Sequence, residues 1–99
     1  MPLFPSVAVV GMHYRGGGAK DVAAALNIGN TVRLEREPEN SHDAYAIKVL
    51  VEDMHIGYVE RSQAAWIAPY MDDGLEPTAL VIGHDQRGNN LHPLLDINV

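Results

Sequence analysis

The stretch REPENSHDAYAIKV, residues 36–49, decides how the fold of this chain is interpreted. Pro38 ends one extended segment, and a second one begins with the mainly apolar run at 46–49. Between them Asn40, His42 and Asp43 lie within four positions, although a hairpin needs only two connecting residues. This turn is therefore a candidate binding site. The simpler alternative is that its Asn and Asp only shape the turn through local bonds to the backbone.

Alternating apolar residues predict strands on both sides of this turn. In the segment 31–36, Val32 and Leu34 point one way and polar side chains point the other way. The run 46–51 alternates in the same manner, and a tight turn leads from it into a further apolar segment at 54–59. We therefore predict that the two segments after the polar turn form an antiparallel hairpin.

Three more strands are predicted outside this central region. The β-branched run 6–12 indicates a first strand that ends near Tyr14. The segments 78–83 and 91–99 indicate two others, which reverse at Gly88-Asn89, a pair typical of tight turns. All six predicted strands are short, as expected for a strongly curved sheet.

Two short helices complete the predicted set of elements. Asp21 is a candidate N-cap for a helix that runs to Leu26. Ser62 is a candidate N-cap for a second helix, which carries an apolar stripe at helical spacing. Pro69 lies inside that pattern and is expected to kink or shorten the second helix.

These elements predict a mainly β, α+β fold: a small OB-like or SH3-like β-barrel of about six strands with one or two short helices. With 99 residues, the chain has room for one modest hydrophobic core, so we expect a single domain over residues 1–99. Because a barrel of this kind presents loops and strand ends as a ligand face, function must be argued from the side chains there.

Composition and charge exclude several classes of function. The net charge of −6, with only seven Lys and Arg residues, argues against a general electrostatic grip on nucleic acid, so any contact with a polyanion must be short and defined. The absence of cysteine excludes disulfides and thiolate metal sites. No apolar run is long enough to span a membrane and residues 1–5 lack signal-peptide features, so a cytoplasmic protein without a membrane partner is expected.

Two alternatives concern catalysis and metal binding. Alternate glutamates near the turn, followed by His42 and Asp43, are residue types that perform general acid–base chemistry, although alternate glutamates on a strand are also typical of a solvated face. His13, His42 and Asp43 could converge on a metal ion if the end of the first strand meets the turn. Neither alternative has a recognised catalytic motif behind it, and no cofactor is predicted.

A third hypothesis is recognition of a single-stranded nucleic acid end, which needs aromatic faces, a few cations and acceptors for hydroxyl groups. Rings are available from Tyr14, His42 and Tyr58. Cations are available from Arg15, Arg36, Lys48 and Arg61. An anionic carboxylate such as that of Asp43 accepts a hydrogen bond from a free sugar hydroxyl but repels a phosphate, which would select a strand terminus.

Three motifs occur in a fixed order along the chain. They are Val9-Val10-Gly11-x-x-Tyr14, Arg36-Glu37-Pro38-x-Asn40-x-x-Asp43-x-x-Ala46-Ile47 and Ile56-Gly57-Tyr58-Val59. In this order, and with the alanine-rich helix that follows, they resemble the HIRAN domain over about residues 7–75. The resemblance implies a modified OB-like barrel and a module that binds the 3′-hydroxyl end of single-stranded DNA, found in certain DNA-dependent ATPases of replication-fork repair and in small stand-alone bacterial proteins.

The resemblance also implies roles for particular residues. Tyr14 is expected to stack on or pack under a terminal base, Asn40 and Asp43 to line the end pocket, and Arg61 to hold a phosphate. The chain departs from a DNA-binding member at three positions, where His13 replaces an arginine and Glu39 and His42 replace an asparagine and a tyrosine. The complete predicted set of nucleic-acid-binding residues is His13, Tyr14, Arg36, Asn40, His42, Asp43, Tyr58 and Arg61.

We therefore predict a non-enzymatic module that recognises the 3′ end of single-stranded DNA in repair or replication. Its protein partner would be a helicase, an ATPase or a nuclease. Two other functions stay open on the sequence: an interaction module whose acidic surface binds a basic protein, and a His/Asp metal-binding or hydrolase-associated domain.

Overall fold

The computed structural model describes residues 3–99; Met1 and Pro2, at the start of the N-terminal run considered above, lie outside the described residues. The strands are β1 (Leu3–Val10), β2 (Thr31–Arg36), β3 (Ile47–Val51), β4 (Met54–Val59), β5 (Thr78–Arg87) and β6 (Asn90–Asn98). The helices are a 3₁₀ turn at Met12–Tyr14, α1 (Ala19–Ala25) and α2 (Arg61–Asp72). Neither α-helix of this described part is long and apolar enough to cross a membrane.

The six strands form a closed antiparallel barrel in the order β1-β4-β3-β2-β5-β6, with β6 pairing back to β1. This confirms the predicted mainly β barrel of six strands, including the β3–β4 hairpin that follows the polar turn. Closure pairs the long strands β5 and β6 along nearly their whole length, whereas β2 meets β5 at only two positions, Thr31 with Leu80 and Val32 with Ala79.

The core fills the barrel and the space under α2. Ile47 and Val49, which the alternating pattern assigned to one face of β3, are fully buried, whereas Val51 on the same face is only partly buried. Helix α2 buries Ala64, Ile67 and Ala68 against the same core. The two alanines have short side chains that let the helix backbone approach the sheet closely, while Ile67 fills the space between them. Burying one aliphatic side chain of this size stabilises the fold by about 1.5–3 kcal/mol.

The end of β1 differs from the prediction. The strand ends at Val10, and Gly11, with φ of 80°, turns the chain in the left-handed region before the 3₁₀ turn. A side chain there would cost about 1–2 kcal/mol, so glycine rather than apolar patterning decides where the strand stops. The prediction that the strand reaches Tyr14 is therefore wrong, and Tyr14 lies on a short helical turn instead.

The starts of both helices also differ from the predicted caps. Helix α1 follows Gly18 in the left-handed conformation, and Asp21 lies inside its first turn, where its charge still favours the helix N-terminus. Helix α2 follows Glu60, so Ser62 is a helical residue rather than the N-cap. In neither helix does a side chain at the N-cap position bond the first turn.

Two elements are longer than predicted. Helix α2 continues through Pro69 to Asp72. Proline removes the hydrogen bond to the carbonyl of Ala65, but Ala65 is exposed, so water can satisfy that oxygen. Strand β5 continues past Gly83, where the register with β6 shifts, and reverses at the predicted Gly88-Asn89 turn.

Gly57 is expected to be required for β4 to pass the end of β1. A Cβ atom at position 57 would lie 2.6 Å from the carbonyl oxygen of Val10 and 3.0 Å from Cγ1 of Val9. Because a backbone oxygen cannot move as a flexible side chain does, Gly57→Ala should lower the free energy of unfolding by about 3 kcal/mol, measured by urea denaturation. In the control Gly17→Ala nothing lies within 4 Å of the new methyl group, so its loss should be limited to about 1–2 kcal/mol, which is what a side chain costs at a φ of 61°. Equal losses in the two variants would contradict a steric role for Gly57.

Candidate nucleic-acid interface

The polar turn between β2 and β3 is held by its own side chains. Oδ1 of Asn40 accepts hydrogen bonds from the backbone N–H groups of His42 (2.9 Å) and Asp43 (3.1 Å). Oδ1 of Asp43 accepts from the N–H of Tyr45 at 2.9 Å. The turn-shaping role is thus real, but it occupies one oxygen of each side chain. Nδ2 of Asn40 and Oδ2 of Asp43 are left for other contacts.

Glu37 lies at the centre of a polar cluster beside this turn. Its Oε1 accepts from Nδ2 of Asn40 (2.7 Å) and from the hydroxyl of Tyr58 (2.9 Å). Its Oε2 lies 3.7 Å from Nζ of Lys48. The hydrogen bond from Asn40 lowers the pKa of Glu37 below 4.5, and the hydrogen bond from Tyr58 and the charge of Lys48 act in the same direction. Burial acts in the opposite direction but does not outweigh them. The carboxylate is therefore a structural acceptor whose charge is largely compensated.

Tyr58 and His55 form the aromatic part of the same cluster. Their rings pack edge to face with centroids 4.7 Å apart, and Nε2 of His55 lies 2.8 Å from the carbonyl oxygen of Gly57. Burial, and then the positive charge of Arg15, lower the pKa of His55 below its ordinary 6.5, which favours the neutral ring. Burial and the carboxylate of Glu37 raise the pKa of Tyr58 above 10. The hydroxyl of Tyr58 is thus a stable donor.

The 3₁₀ turn brings a second aromatic group to this side of the barrel. Val10 pairs with Tyr58 across β1 and β4, so the chain that follows Val10 starts beside the polar cluster. The ring centroids of His13 and Tyr14 are 4.1 Å apart, and Tyr14 is 82% exposed. An exposed ring of this kind offers a free face for stacking.

Asp43 and Arg61 meet at the N-terminal end of α2. Oδ2 of Asp43 lies 4.0 Å from Nε of Arg61, and the side chains are 17% and 77% exposed. At 4.0 Å this contact is longer than a hydrogen bond, and because Arg61 is largely exposed its guanidinium stays available to another anion. His42 is exposed beside this pair, at the outer part of the turn.

Arg36 has a different position from the other predicted contact residues. Its guanidinium donates to the carbonyl oxygens of Ala44 (2.9 Å) and Ala46 (2.7 Å) and to both carboxylate oxygens of Asp72 (2.9 and 3.3 Å). The side chain is only 14% exposed. Arg36 therefore ties the end of the polar turn to the C-terminal end of α2 and has no nitrogen left for a ligand.

The structure connects four of the eight predicted site residues. Asn40, Asp43, Tyr58 and Arg61 are connected through the contacts above. Sequence reasoning treated Arg15 and Lys48 only as possible cations and did not place Glu37 or His55 in a binding site. The register of β3 and β4, which pairs Lys48 with Tyr58, is the signal that could have found Lys48. The position of His55 depends on a register shift in the same hairpin.

The two chemical alternatives fare differently from the binding hypothesis. Within residues 3–99, no group of three His, Cys, Asp or Glu side chains is placed to hold a metal ion. The alternative metal site of His13, His42 and Asp43 is therefore not formed among these residues. A general acid needs a raised carboxyl pKa, whereas that of Glu37 is lowered.

A closed small barrel with an exposed ring, a carboxylate acceptor and a few cations at one end is typical of one class of protein: the small β-barrels that bind nucleic acid. The family model of the HIRAN domain matches residues 5–97, and the chain belongs to this family. This match confirms the resemblance noted in the sequence. HIRAN domains are nucleic-acid-binding modules and are not typically catalytic.

Two solved structures support this assignment. A protein from Lactobacillus plantarum is 30% identical, with 96% of this chain and 92% of that chain covered at a TM-score of 0.78. The HIRAN domain of human HLTF is 26% identical, with 96% and 72% covered at a TM-score of 0.71. None of the curated proteins compared matches the sequence significantly.

The compensated charge of Glu37 should make stability depend on pH in acid. A lowered pKa in the folded state stabilises the protein above the unfolded value of about 4.5, and this stabilisation disappears as the pH falls through the folded value. We expect Glu37→Gln to be less stable than the wild type at pH 7, with a difference that shrinks below pH 4.5, measured by urea denaturation from pH 3 to 7. Glu39→Gln, in the same turn, is the matched control. A difference that is constant with pH would contradict the assignment.

Proposed function

We propose that this HIRAN domain recognises the 3′-hydroxyl end of single-stranded DNA as an accessory, non-enzymatic module of repair or replication. The observation that carries the proposal is the division of labour within Asp43. Its Oδ1 is occupied by the N–H of Tyr45, while its Oδ2 faces Arg61 at 4.0 Å and has no hydrogen-bond donor among the described residues. The turn thus fixes one oxygen and presents the other.

That free oxygen suits a hydroxyl and not a phosphate. An ionised carboxylate only accepts hydrogen bonds, so a terminal 3′-hydroxyl can donate to Oδ2 of Asp43. A phosphate at the same place, whether a 3′-phosphate or the next link of a continuing strand, would bring two negative charges together. Arg61 beside it can hold the preceding phosphate of the strand. The pair therefore supports selection of a strand end.

The other predicted residues supply the walls of this site. Tyr14 offers the exposed ring for the terminal base, with His13 packed against it, and His42 offers a second exposed ring on the turn. Tyr58 and Asn40 support the site through Glu37. Arg36 supports it from behind by holding the turn against α2, and Arg15 and Lys48 add positive charge near the aromatic cluster.

With a net charge of −6, the chain must obtain its affinity from stacking and hydrogen bonds more than from charge. A site with few cations fits a short strand end better than a long duplex. A helicase, ATPase or nuclease that presents DNA ends to this domain, and a cytoplasmic location, stay predictions of the sequence.

The role of Asp43 can be tested with fluorescent oligonucleotides of one sequence that end in a 3′-hydroxyl or a 3′-phosphate. We expect the hydroxyl end to bind about tenfold more tightly, since a hydrogen bond to a charged group contributes about 1.5–3 kcal/mol. Asp43→Asn retains an acceptor for the N–H of Tyr45 but removes the charge, so the preference should disappear with the fold intact. Asp53→Asn, at a fully exposed position, should keep the preference. Equal affinity of the wild type for both ends would overturn the proposal.

The role of Tyr14 can be tested separately. Tyr14→Ala should weaken binding of the 3′-hydroxyl oligonucleotide by about tenfold or more, because stacking of one base on an aromatic side chain contributes about 1–3 kcal/mol. The free energy of unfolding should stay within about 0.5 kcal/mol, since the ring is exposed. Trp66→Ala removes an aromatic ring that is 71% exposed on α2 and serves as the control. Unchanged binding by Tyr14→Ala would exclude the stacking role.

A further inference from the structure

Although the barrel is closed, β2 has an open edge beyond Val32, where its pairing with β5 ends. The N–H of Glu37 donates to the carbonyl oxygen of Ala46, and the regular β2–β3 register then directs the backbone groups of Arg33 and Glu35 to β3. The groups of the intervening residues, Leu34 and Arg36, point the other way, toward the line of β5. Within residues 3–99, no backbone or side-chain group bonds the N–H or C=O of Leu34 or Arg36 on that side.

The sequence before β5 accounts for the end of the ladder. Extending the register from Val32 with Ala79 would place Leu34 opposite Pro77 and Glu35 opposite Glu76. Proline has no N–H to donate to the carbonyl oxygen of Leu34, and two glutamates directly opposite each other repel. The chain therefore leaves the sheet, and β5 begins only at Thr78.

A groove of about 800 Å³ occupies the space that the missing ladder leaves. Its apolar lining includes Leu34 of β2, Met71 of α2 and Leu75 of the connection to β5. The groove is long enough for a strand, since the four residues from Arg33 to Arg36 span roughly 13 Å at the usual rise of a strand. It thus combines an unpaired sheet edge with apolar side chains beside it.

The charges around the groove are mainly negative. Arg36 is bonded to Asp72, whereas Arg33 is largely exposed and makes only a long contact of 3.9 Å with Asp53, which contributes little. The three glutamates of the lining are in no ion pair within the described part of the chain: they are Glu35, Glu52 and Glu76. This charge disfavours nucleic acid in the groove and favours a basic ligand.

We propose that this groove binds an extended protein segment with alternating apolar and basic residues, which adds to the edge of β2 as a further strand. The backbone of the segment would pair with Leu34 and Arg36, since strand addition obtains its affinity from main-chain hydrogen bonds. Its apolar side chains would face Met71 and Leu75, and its basic side chains the glutamates. This gives the acidic interaction surface suggested by the net charge a defined place, separate from the proposed DNA site.

Amide exchange followed by NMR tests the proposal, with the peptide acetyl-KVKVKVK-amide as the probe. At saturating peptide, the amides of Leu34 and Arg36 should exchange at least about tenfold more slowly, whereas those of Arg33 and Glu35, already bonded to β3, should not change. The peptide KKKKVVV has the same composition without alternation and should give no such protection. Protection of none of these amides, or of all four equally, would overturn strand addition.

Two further comparisons separate strand addition in the groove from a general attraction of the basic peptide to the acidic surface. Glu76→Lys should weaken peptide binding about tenfold and leave DNA binding unchanged, whereas Asp21→Lys, an equal charge reversal on α1, should affect neither. Two further peptides carry methyl groups on either the odd-numbered or the even-numbered backbone nitrogens. Only one of these two peptides should lose binding, because only every second N–H faces β2. Loss of binding by both methylated peptides, or by neither, contradicts the proposal. It is also contradicted if a second copy of the chain protects the amide of Leu34, which sedimentation without peptide would show as a dimer.

Discussion

The guanidinium of Arg36 is the contact on which the rest of the site depends. It joins the end of β2, the carbonyl oxygens of Ala44 and Ala46 and the carboxylate of Asp72 in one set of hydrogen bonds. A planar group with five donors can join three segments in this way, whereas the ammonium of lysine could not do so with the same geometry. The polar turn is therefore held against α2, and Asp43 is held near Arg61.

The acidic character of the site is resolved by pairing. Glu37 appears in the sequence as one of several alternate carboxylates next to a DNA site, where negative charge is unfavourable. In the folded chain its oxygens are bonded by Asn40 and Tyr58 and lie near Lys48. The carboxylates that stay unpaired near β2, those of Glu35, Glu52 and Glu76, instead line the groove.

The strands and the site were predictable to different degrees. Alternation of apolar residues located β2, β3 and β4 because side chains of a strand alternate between core and solvent. The end of β1 was not predictable in this way, since Gly11 reverses the chain through a backbone conformation that hydrophobic pattern does not report. Arg36 was grouped with the DNA contacts, because a sequence shows that a cation is near a turn but not which carbonyl oxygens surround it.

The sequence by itself determined the barrel, the family and the position of the polar turn, since these follow from local periodicity and from motifs of contiguous residues. Only the tertiary structure decided which atoms of that turn are free. Oδ1 and Oδ2 of Asp43 are equivalent in a sequence, and they differ only after the N–H of Tyr45 and the side chain of Arg61 have been placed around them. The open edge of β2 is likewise a consequence of register, which arises when distant strands pair.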